Sequence, residues 1–142
     1  MKYMEIAKIV ADSSKDINTK VGAVIVSKDG RILSCGYNGA PRKFNDNLVP
    51  LAREGNWKDT KYPYICHAEL NAILNYRGSL TDFDKAIIYC TLFPCNECAK
   101  ALSQVGIKKI YYLEDKHHDD DIYCVSRFIL DECGVEYEKG VY

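Results

Sequence analysis

Two short groups of residues carry side chains that bind metals or move protons. The first is His-Ala-Glu at residues 67–69, and the second is Pro-Cys-Asn-Glu-Cys at residues 94–98. Cys95 and Cys98 are three positions apart, so both sulfurs lie on one side of a helix and can bind one ion. Thiolates at a helix N-terminus are stabilised by the positive end of the helix dipole. With His67 they form a set of one imidazole and two thiolates, which suits zinc.

Glu69 adds a proton-transfer group to this predicted zinc site. Three protein ligands leave one tetrahedral position free, which is typical of a catalytic zinc rather than a structural one. Glu69 follows His67 by two residues, so its carboxylate can reach a water in that position without binding the metal. Zinc lowers the pKa of such a water to about 7, and a neighbouring carboxylate can accept its proton. H-x-E followed by P-C-x-x-C therefore predicts hydrolysis of a C–N bond on a flat heterocycle.

Other interpretations of the cysteines stay open at this point. The Cys-x-x-Cys pair alone is also compatible with a redox pair, and Cys66 or Cys90 is a possible fourth ligand of a closed structural zinc. Their positions, directly before His67 and within a predicted strand, are more typical of small buried side chains. The remaining cysteines have no partner pattern, and we expect them to serve in packing: Cys35, Cys124 and Cys133.

The composition predicts one globular domain over residues 1–142. Hydrophobic residues make up 47% of the 142 residues and charged residues 27%, which is ordinary for a globular chain. A formal charge of −1 argues against a nucleic-acid polymer as partner. No apolar run approaches the roughly 18 residues that a membrane span needs, so no membrane partner is expected. Seven cysteines without a secretory leader favour a cytoplasmic location.

The elements that must position these residues follow from the apolar pattern. It predicts the order α-β-β-α-β-α-β-α-β, an α/β fold in which a mixed five-stranded sheet has helices on both faces, as in a three-layer sandwich. The predicted helices are Lys2–Ser13, His67–Tyr76, Cys95–Val105 and one from about Asp119 that ends at Gly134. The predicted strands are Val21–Ser27, Arg31–Tyr37, Lys85–Phe93, Ile107–Glu114 and Val135–Glu138.

Two further expectations concern helix faces and a loop. The stretch from Asn38 to Tyr64 is too long for a simple connector, so we expect it to carry function. A turn at Lys28-Asp29-Gly30 predicts an antiparallel hairpin. The helix faces expected to be buried are Ile6, Ile9, Val10 and Ser13 in the first helix, Leu70, Ile73 and Leu74 in the second, Cys95, Cys98, Ala99 and Leu102 in the third, and Ile122, Val125, Phe128 and Ile129 in the last.

From about Asp16 to Gly134 the chain resembles the deoxycytidylate (dCMP) deaminases of the cytidine deaminase superfamily. His-Ala-Glu and Pro-Cys-x-x-Cys belong to the whole superfamily. Gly-Tyr-Asn-Gly at residues 36–39, the long loop after it and Asn71 narrow the resemblance to the dCMP deaminases. The resemblance extends over residues 19–26, 36–39, 61–73, 92–100 and 106–108.

The resemblance implies a hydrolase of pyrimidine nucleotide biosynthesis that converts dCMP and water to dUMP and ammonia, and so supplies the precursor of thymidylate. It implies that His67, Cys95 and Cys98 hold zinc. Glu69 would move a proton from the zinc-bound water to ring nitrogen N3 and later to the departing amine. The remaining implied substrate contacts are the backbone N–H of Ala68 to the pyrimidine carbonyl, the carbonyl around Thr91 to the amine, and Asn38 to the sugar.

The resemblance also implies a homohexamer that is activated by dCTP with Mg²⁺ and inhibited by dTTP. The implied effector residues lie in or near Gly-Tyr-Asn-Gly: Gly36, Tyr37, Gly39 and Arg42. The 5′-phosphate needs cationic or N–H donors, for which the candidates are Asn18, Lys20, Arg42, Lys43, Lys116, His117 and His118. The chain departs from common family patterns at His117-His118, where relatives often have Tyr before His, and at Ala40-Pro41-Arg42, where some relatives have a neutral residue.

Two other functions compete with this prediction. The same chemistry serves deaminases of another cytosine nucleotide, a nucleoside, a free base, tRNA or single-stranded DNA, although the near-neutral charge argues against polymers. A nucleotide-binding zinc protein without turnover is the second alternative. Glu69 argues against it, because a structural metal site needs no carboxylate beside the metal.

Overall fold

A computed structural model describes residues 2–140 of the chain, and it confirms the predicted order of helices and strands. The helices are α1 (Tyr3–Ala11), α2 (Ala68–Asn75), α3 (Asn96–Gln104) and α4 (Asp121–Glu132). The strands are β1 (Gly22–Val26), β2 (Ile32–Tyr37), β3 (Ile87–Leu92), β4 (Lys109–Glu114) and β5 (Glu136–Lys139). Three short 3₁₀ turns, at Asp46–Leu48, Trp57–Asp59 and Leu80–Phe83, lie in the connections.

The five strands form one mixed sheet in the order β2-β1-β3-β4-β5. β1 is antiparallel to both β2 and β3, whereas β3, β4 and β5 are parallel. The predicted hairpin between β1 and β2 is present, with Gly30 at φ +88° in its turn. All five residues of β1 are buried, as expected for an apolar strand that is covered on both faces.

Alternate residues of the strands face two different hydrophobic clusters, so the sheet has helices on both faces as predicted. On one face Met4 and Ala7 of α1 pack against Val24 and Tyr89. On the other face α2, α3 and α4 cover the sheet, through residues such as Ala72, Leu102 and Leu130. This second face carries the predicted metal ligands, because His67 and Cys95 stand at the N-termini of α2 and α3.

The predicted buried face of α1 is wrong in part. Ile9 is 69% exposed, and the buried residues are Met4, Ala7 and Ala11. Of the other residues expected on this face, Ile6 and Val10 are half-buried and Ser13 is exposed. The cause is a close approach at Gly22, where a Cβ would lie 2.1 Å from the carbonyl oxygen of Ala7. Only small side chains fit beside Gly22, so Ala7 and Ala11 face it there, while Ile9 turns outward.

The predicted faces of α2 and α4 are also wrong in part. In α2 the expected Ile73 is buried, but Leu74 is 59% exposed and Leu70 is at the surface, while Ala68, Glu69 and Ala72 point inward. In α4 the buried residues are Ser126 and Leu130. The side chains expected there, Ile122, Val125 and Phe128, are 47–66% exposed, and Ile129 is half-buried.

The ends of α3 and α4 agree with the sequence prediction. Cys98, Ala99 and Leu102 are buried along one stripe of α3, and Cys95 is buried as its N-cap. Gly134 follows α4 at φ +72°, which is the conformation that commonly ends a helix. No helix within residues 2–140 has the length and apolar character that would let it span a bilayer.

Candidate metal centre and active site

The three predicted metal ligands meet where α2 and α3 begin. His67 is the N-cap residue of α2, Cys95 is the N-cap of α3, and Cys98 lies in the first turn of α3. The Nδ1 atom of His67 lies 3.2 Å from Sγ of Cys95 and 3.7 Å from Sγ of Cys98. Within residues 2–140 this is the one group of three or more His, Cys, Asp or Glu side chains arranged to hold an ion.

The donor set fits zinc and leaves room for a water. One imidazole nitrogen and two sulfurs, all within 4.8 Å of one another, match the borderline-soft character of zinc. Neither Cys66 nor Cys90 belongs to the group, so among the described residues no fourth cysteine closes the site. Cys90 is buried and Cys66 half-buried, whereas Cys35, Cys124 and Cys133 are exposed, so the expectation that these three serve in packing is wrong.

Hydrogen bonds within the site shift the pKa values of its members. Hydrogen bonds from Cys98 and His67 lower the pKa of Cys95 to about 4. The hydrogen bond to Cys95, opposed by burial, raises the pKa of His67 to about 9. In the metal-free chain a thiolate therefore pairs with an imidazolium at neutral pH. Metal binding requires the neutral imidazole, so the metal must displace this proton.

Glu69 lies beside the ligands and is only 3% exposed. Burial raises its pKa, and the opposing charge on His67 only partly offsets this effect. A carboxyl group with a raised pKa can accept and return a proton near neutral pH. The side chain is thus suited to general acid–base work at this position.

A cavity of about 120 Å³ opens beside the metal ligands and Glu69. Of the predicted substrate-binding residues, Asn38 and Ala68 line it. The Asn38 amide is held in place, because its Oδ1 accepts from the Val21 N–H at 2.9 Å and its Nδ2 donates to the Thr19 carbonyl at 2.9 Å. Its orientation toward the cavity is therefore fixed by the backbone.

The other predicted substrate-binding residues do not line this cavity. The side chain of Thr91 lies on the α1 face of the sheet, where its Oγ1 accepts from the Gly22 N–H at 3.1 Å. Asn18 lines a second cavity, and Lys20 lines neither. The predicted role of Thr91 concerns its carbonyl and stays a prediction.

Several residues that line the metal-site cavity were not singled out from the sequence. They are Asp16, Thr19, Arg53, Tyr62 and Tyr123, together with Lys61. Lys61 and Tyr62 stand in the segment that carries the family resemblance, which was an available signal. Arg53 lies in the long loop and Tyr123 in α4, and no local pattern marks either one.

Asp16 and Lys61 form a buried ion pair that borders both cavities. The Lys61 Nζ atom lies 2.9 Å from one carboxylate oxygen of Asp16 and 3.1 Å from the other. The Asp16 carboxylate also accepts from the backbone N–H groups of Asn18 and Thr19. Burial by itself would raise the pKa of Asp16, but the hydrogen bonds from Lys61 and Thr19 outweigh this effect, so the pKa is lowered.

The second cavity has a volume of about 310 Å³ and lies against Gly-Tyr-Asn-Gly. Of the four predicted effector residues, Tyr37 and Gly39 line it, whereas Gly36 and Arg42 do not. Gly36 instead lies under α2, where a Cβ would be 2.4 Å from the Ala72 nitrogen. The cations that line the second cavity include Lys15 and Lys43, with Asp46 beside them.

The two adjacent histidines face different surroundings. His117 lines the metal-site cavity and stacks on Tyr123, with ring centroids 5.6 Å apart. His118 instead contacts Asp115, with Nδ1 2.7 Å from the carboxylate, and its carbonyl accepts from Arg127 at 2.6 Å.

Comparison with known proteins shows what the chain is similar to. Residues 1–114 match the family described as "Cytidine and deoxycytidylate deaminase zinc-binding region". The deoxycytidylate deaminase of Homo sapiens is 45% identical over 140 residues, covering 98% of this chain and 78% of that protein. The deoxycytidylate deaminase of Mus musculus is 44% identical over 138 residues, covering 96% of this chain and 76% of that protein.

A solved structure shares the fold over nearly the whole chain. The dCMP deaminase of cyanophage S-TIM5, crystallised in complex with dCMP and dUMP, superimposes with a TM-score of 0.77 at 33% identity, covering 97% of this chain and 93% of that one. The sequence match and the shared fold agree with the geometry of the metal centre. The chain therefore belongs to the cytidine and deoxycytidylate deaminase family.

Proposed function

We propose that this protein catalyses the zinc-dependent hydrolytic deamination of dCMP to dUMP and ammonia. The observation that carries the proposal is the buried carboxyl of Glu69 beside the convergent His67, Cys95 and Cys98 side chains, in a cavity open to a small molecule. The choice of dCMP is supported by relatives that are named deoxycytidylate deaminases and by the cyanophage enzyme solved with dCMP and dUMP.

His67, Cys95 and Cys98 would hold the zinc, which supplies a Lewis acid that lowers the pKa of a water to about 7. Glu69 accepts a proton from the attacking water and delivers it to ring nitrogen N3. A C–O bond then forms at C4. Glu69 next takes the remaining proton from the hydroxyl on C4 and passes it to the amine, so that C4 becomes a carbonyl, the C4–N bond breaks and ammonia leaves. The products are dUMP and ammonia, so atoms and charge balance with one water consumed.

The remaining contacts to the base and sugar come from backbone and amide groups. The N–H of Ala68 is one of the first N–H groups of α2, which have no partner within the helix, so it can donate to the pyrimidine carbonyl. The carbonyl around Thr91 would accept from the amine. Asn38 keeps one amide hydrogen and one lone pair beyond the bonds to Thr19 and Val21, and these serve the sugar.

For the 5′-phosphate we propose Arg53 and Lys116 as donors. Arg53 lines the cavity, and Lys116 donates to Thr19 Oγ1, a cavity residue, at 2.9 Å. Lys61 is less suited, because Asp16 already neutralises it. Phosphate binding by cationic donors also distinguishes dCMP from the nucleoside.

A substrate panel tests the proposal. Zinc-loaded protein is assayed with cytidine, deoxycytidine, dCMP, CMP and dCTP, and we expect the highest kcat/KM with dCMP. Faster turnover of an unphosphorylated compound would contradict the choice of substrate while leaving the chemistry intact. Absence of turnover with every compound at full zinc occupancy would favour a nucleotide-binding zinc protein.

We further propose that the second cavity binds a nucleotide effector, with dCTP and Mg²⁺ activating and dTTP inhibiting. Support comes from the family resemblance at Gly-Tyr-Asn-Gly and from Tyr37 and Lys43 in its lining. Repeating the panel with dCTP·Mg²⁺ and with dTTP tests this. Rates that do not respond to either nucleotide would contradict it.

A homohexamer in the cytoplasm completes the proposal. Apolar side chains left exposed on α2, Leu70 and Leu74, support burial against other copies of the chain. Free cysteines throughout the described structure support a reducing compartment. Light scattering tests the assembly, with six chains of 16.1 kDa expected and a monomer contradicting it.

A further inference from the structure

One aromatic side chain of α4 reaches the metal site although its neighbours face away from it. Tyr123 lines the cavity together with His67, Glu69 and Cys95. Ile122, next to it in the chain, is 53% exposed. Nothing in the mechanism above uses Tyr123.

Tyr123 and His117 form one flat wall of the cavity. Their ring centroids are 5.6 Å apart, and the ring planes are inclined by only 26°. His117 is also held from the side, because its Nδ1 lies 3.5 Å from a carboxylate oxygen of Asp120. Asp120 is the N-cap of α4, and its carbonyl accepts from the Tyr123 N–H at 3.0 Å. Both rings are thus attached to the start of one helix.

The loop that carries His117 is tied down at both ends. On one side Lys116 donates to Thr19 Oγ1 at 2.9 Å. On the other, Arg127 of α4 donates to the His118 carbonyl at 2.6 Å. These bonds hold the His117 ring against Tyr123 before any ligand binds, so the wall is preformed.

The surroundings keep the Tyr123 ring neutral. Burial raises its pKa above the ordinary value, and the negative charges of Cys95 and Glu69 add to this effect. A neutral phenol offers an apolar face to an uncharged flat base.

We propose that Tyr123 is a substrate-binding residue that packs its ring against the pyrimidine base, with His117 as its stacking support. This inference depends on the proposed function only for the identity of the base that packs against the ring. The wall faces the same space as Glu69, where the reacting ring must lie, and stacking on an aromatic side chain is a common way to hold a base.

The test compares three variants of the zinc-loaded protein with dCMP. Tyr123→Leu removes the aromatic ring, Tyr123→Phe keeps it, and Phe128→Leu makes the same kind of change at a side chain of α4 that is 66% exposed and does not line the cavity. We expect Tyr123→Leu to raise KM roughly fivefold or more, with a smaller change in kcat and full zinc content. Tyr123→Phe and Phe128→Leu should keep the wild-type KM.

His117 provides a second test that does not disturb the interior of α4. His117→Ala should also raise KM, and His117→Phe should restore it, because only the flat ring is needed. A wild-type KM in Tyr123→Leu or in His117→Ala overturns the proposal, as does equal impairment of Tyr123→Phe and Tyr123→Leu. If Tyr123→Leu loses its zinc, the two His117 variants decide the outcome. A raised KM in His117→Ala that His117→Phe restores supports the proposal, and any other result shows that Tyr123 has only a structural role.

Failure of the proposed substrate is distinguishable from failure of this inference. If the wild-type protein prefers another cytosine compound, the same variants are compared on that compound. A raised KM there supports the aromatic wall, and an unchanged KM overturns it, whatever the outcome for dCMP.

Discussion

At the scale of single residues, the proposed chemistry depends on a carboxyl group that the fold removes from water. Glu69 is 3% exposed although charged side chains are rarely buried without a partner. Its place in the first turn of α2 puts it next to His67, and burial raises its pKa. The fold thus keeps a group that is unfavourable for stability beside the metal ligands, where the proposed reaction requires a proton carrier.

Glu69→Gln should lower kcat by roughly 10²–10⁴-fold, the usual contribution of a general acid–base. Zinc content and thermal stability should be preserved, because the amide has nearly the same shape. The matched control is Glu97→Gln, whose side chain lies within Cys-x-x-Cys but is 73% exposed and pairs with Lys100. Near-normal activity in Glu69→Gln would show that this carboxyl is not the proton carrier.

Zinc binding should weaken as the pH falls, because His67 must lose the proton that its pairing with Cys95 retains up to about pH 9. Below that pH the apparent affinity should fall about tenfold per pH unit for each proton displaced. Competition titrations against a chromophoric chelator between pH 6.5 and 9, values chosen to bracket roughly the ordinary and the raised pKa, measure this. A pH-independent affinity would contradict it.

At the scale of elements, Gly22 and Gly36 set how closely α1 and α2 lie on the sheet. A Cβ at Gly36 would be 2.4 Å from the Ala72 nitrogen and 2.6 Å from the Ala68 carbonyl oxygen. β2 therefore holds the backbone of α2 in direct contact. His67 is the N-cap of α2, and Glu69 lies in its first turn. This contact therefore fixes the distance of both residues from the sheet.

Gly36→Ala should displace α2 and destabilise the fold by roughly 1–3 kcal/mol, as overpacking commonly does. Activity should fall by more than the loss of folded protein explains, because His67 and Glu69 move with the helix. Thermal melts and kcat at full zinc loading provide the measurements. Gly39→Ala is the stability control, since a Cβ there meets nothing within 4 Å, and an equal loss of stability in both variants would count against the contact.

At the scale of the whole molecule, one ion pair connects the segment before β1 with the long loop. Lys61 and Asp16 lie between the two cavities, with their side chains only 13% and 7% exposed. The Ser14 hydroxyl accepts from the Asp16 N–H and donates to the Asn38 carbonyl. The wall between the cavities is therefore one hydrogen-bonded unit.

Asp16→Asn should lower stability by up to about 3 kcal/mol, because it leaves the Lys61 ammonium buried without its counter-charge. The double variant Asp16→Asn/Lys61→Met should recover part of this loss. In the wild type, the lowered pKa of Asp16 stabilises the fold above the ordinary carboxyl range, and this contribution is lost as the pH falls through the folded-state pKa. Additive effects in the double-mutant cycle would contradict coupling.

The sequence by itself determined the metal chemistry and the order of elements. Cys95 and Cys98 are one helical turn apart, so their convergence is a local property of α3 and needs no tertiary information. The strands could also be predicted from the sequence, because β1 is apolar throughout and Gly30 marks the turn between β1 and β2.

Only the tertiary structure decided which helix faces are buried and which distant side chains join the site. Apolar patterns favour large side chains for the core, yet close approaches at Gly22 and Gly36 admit only small ones, so Ile9 and Leu74 remain exposed. Tyr123 belongs to the site because the packing of α4 brings the start of that helix beside α3. Such contacts depend on the distances between elements, which residue spacing within one element does not contain.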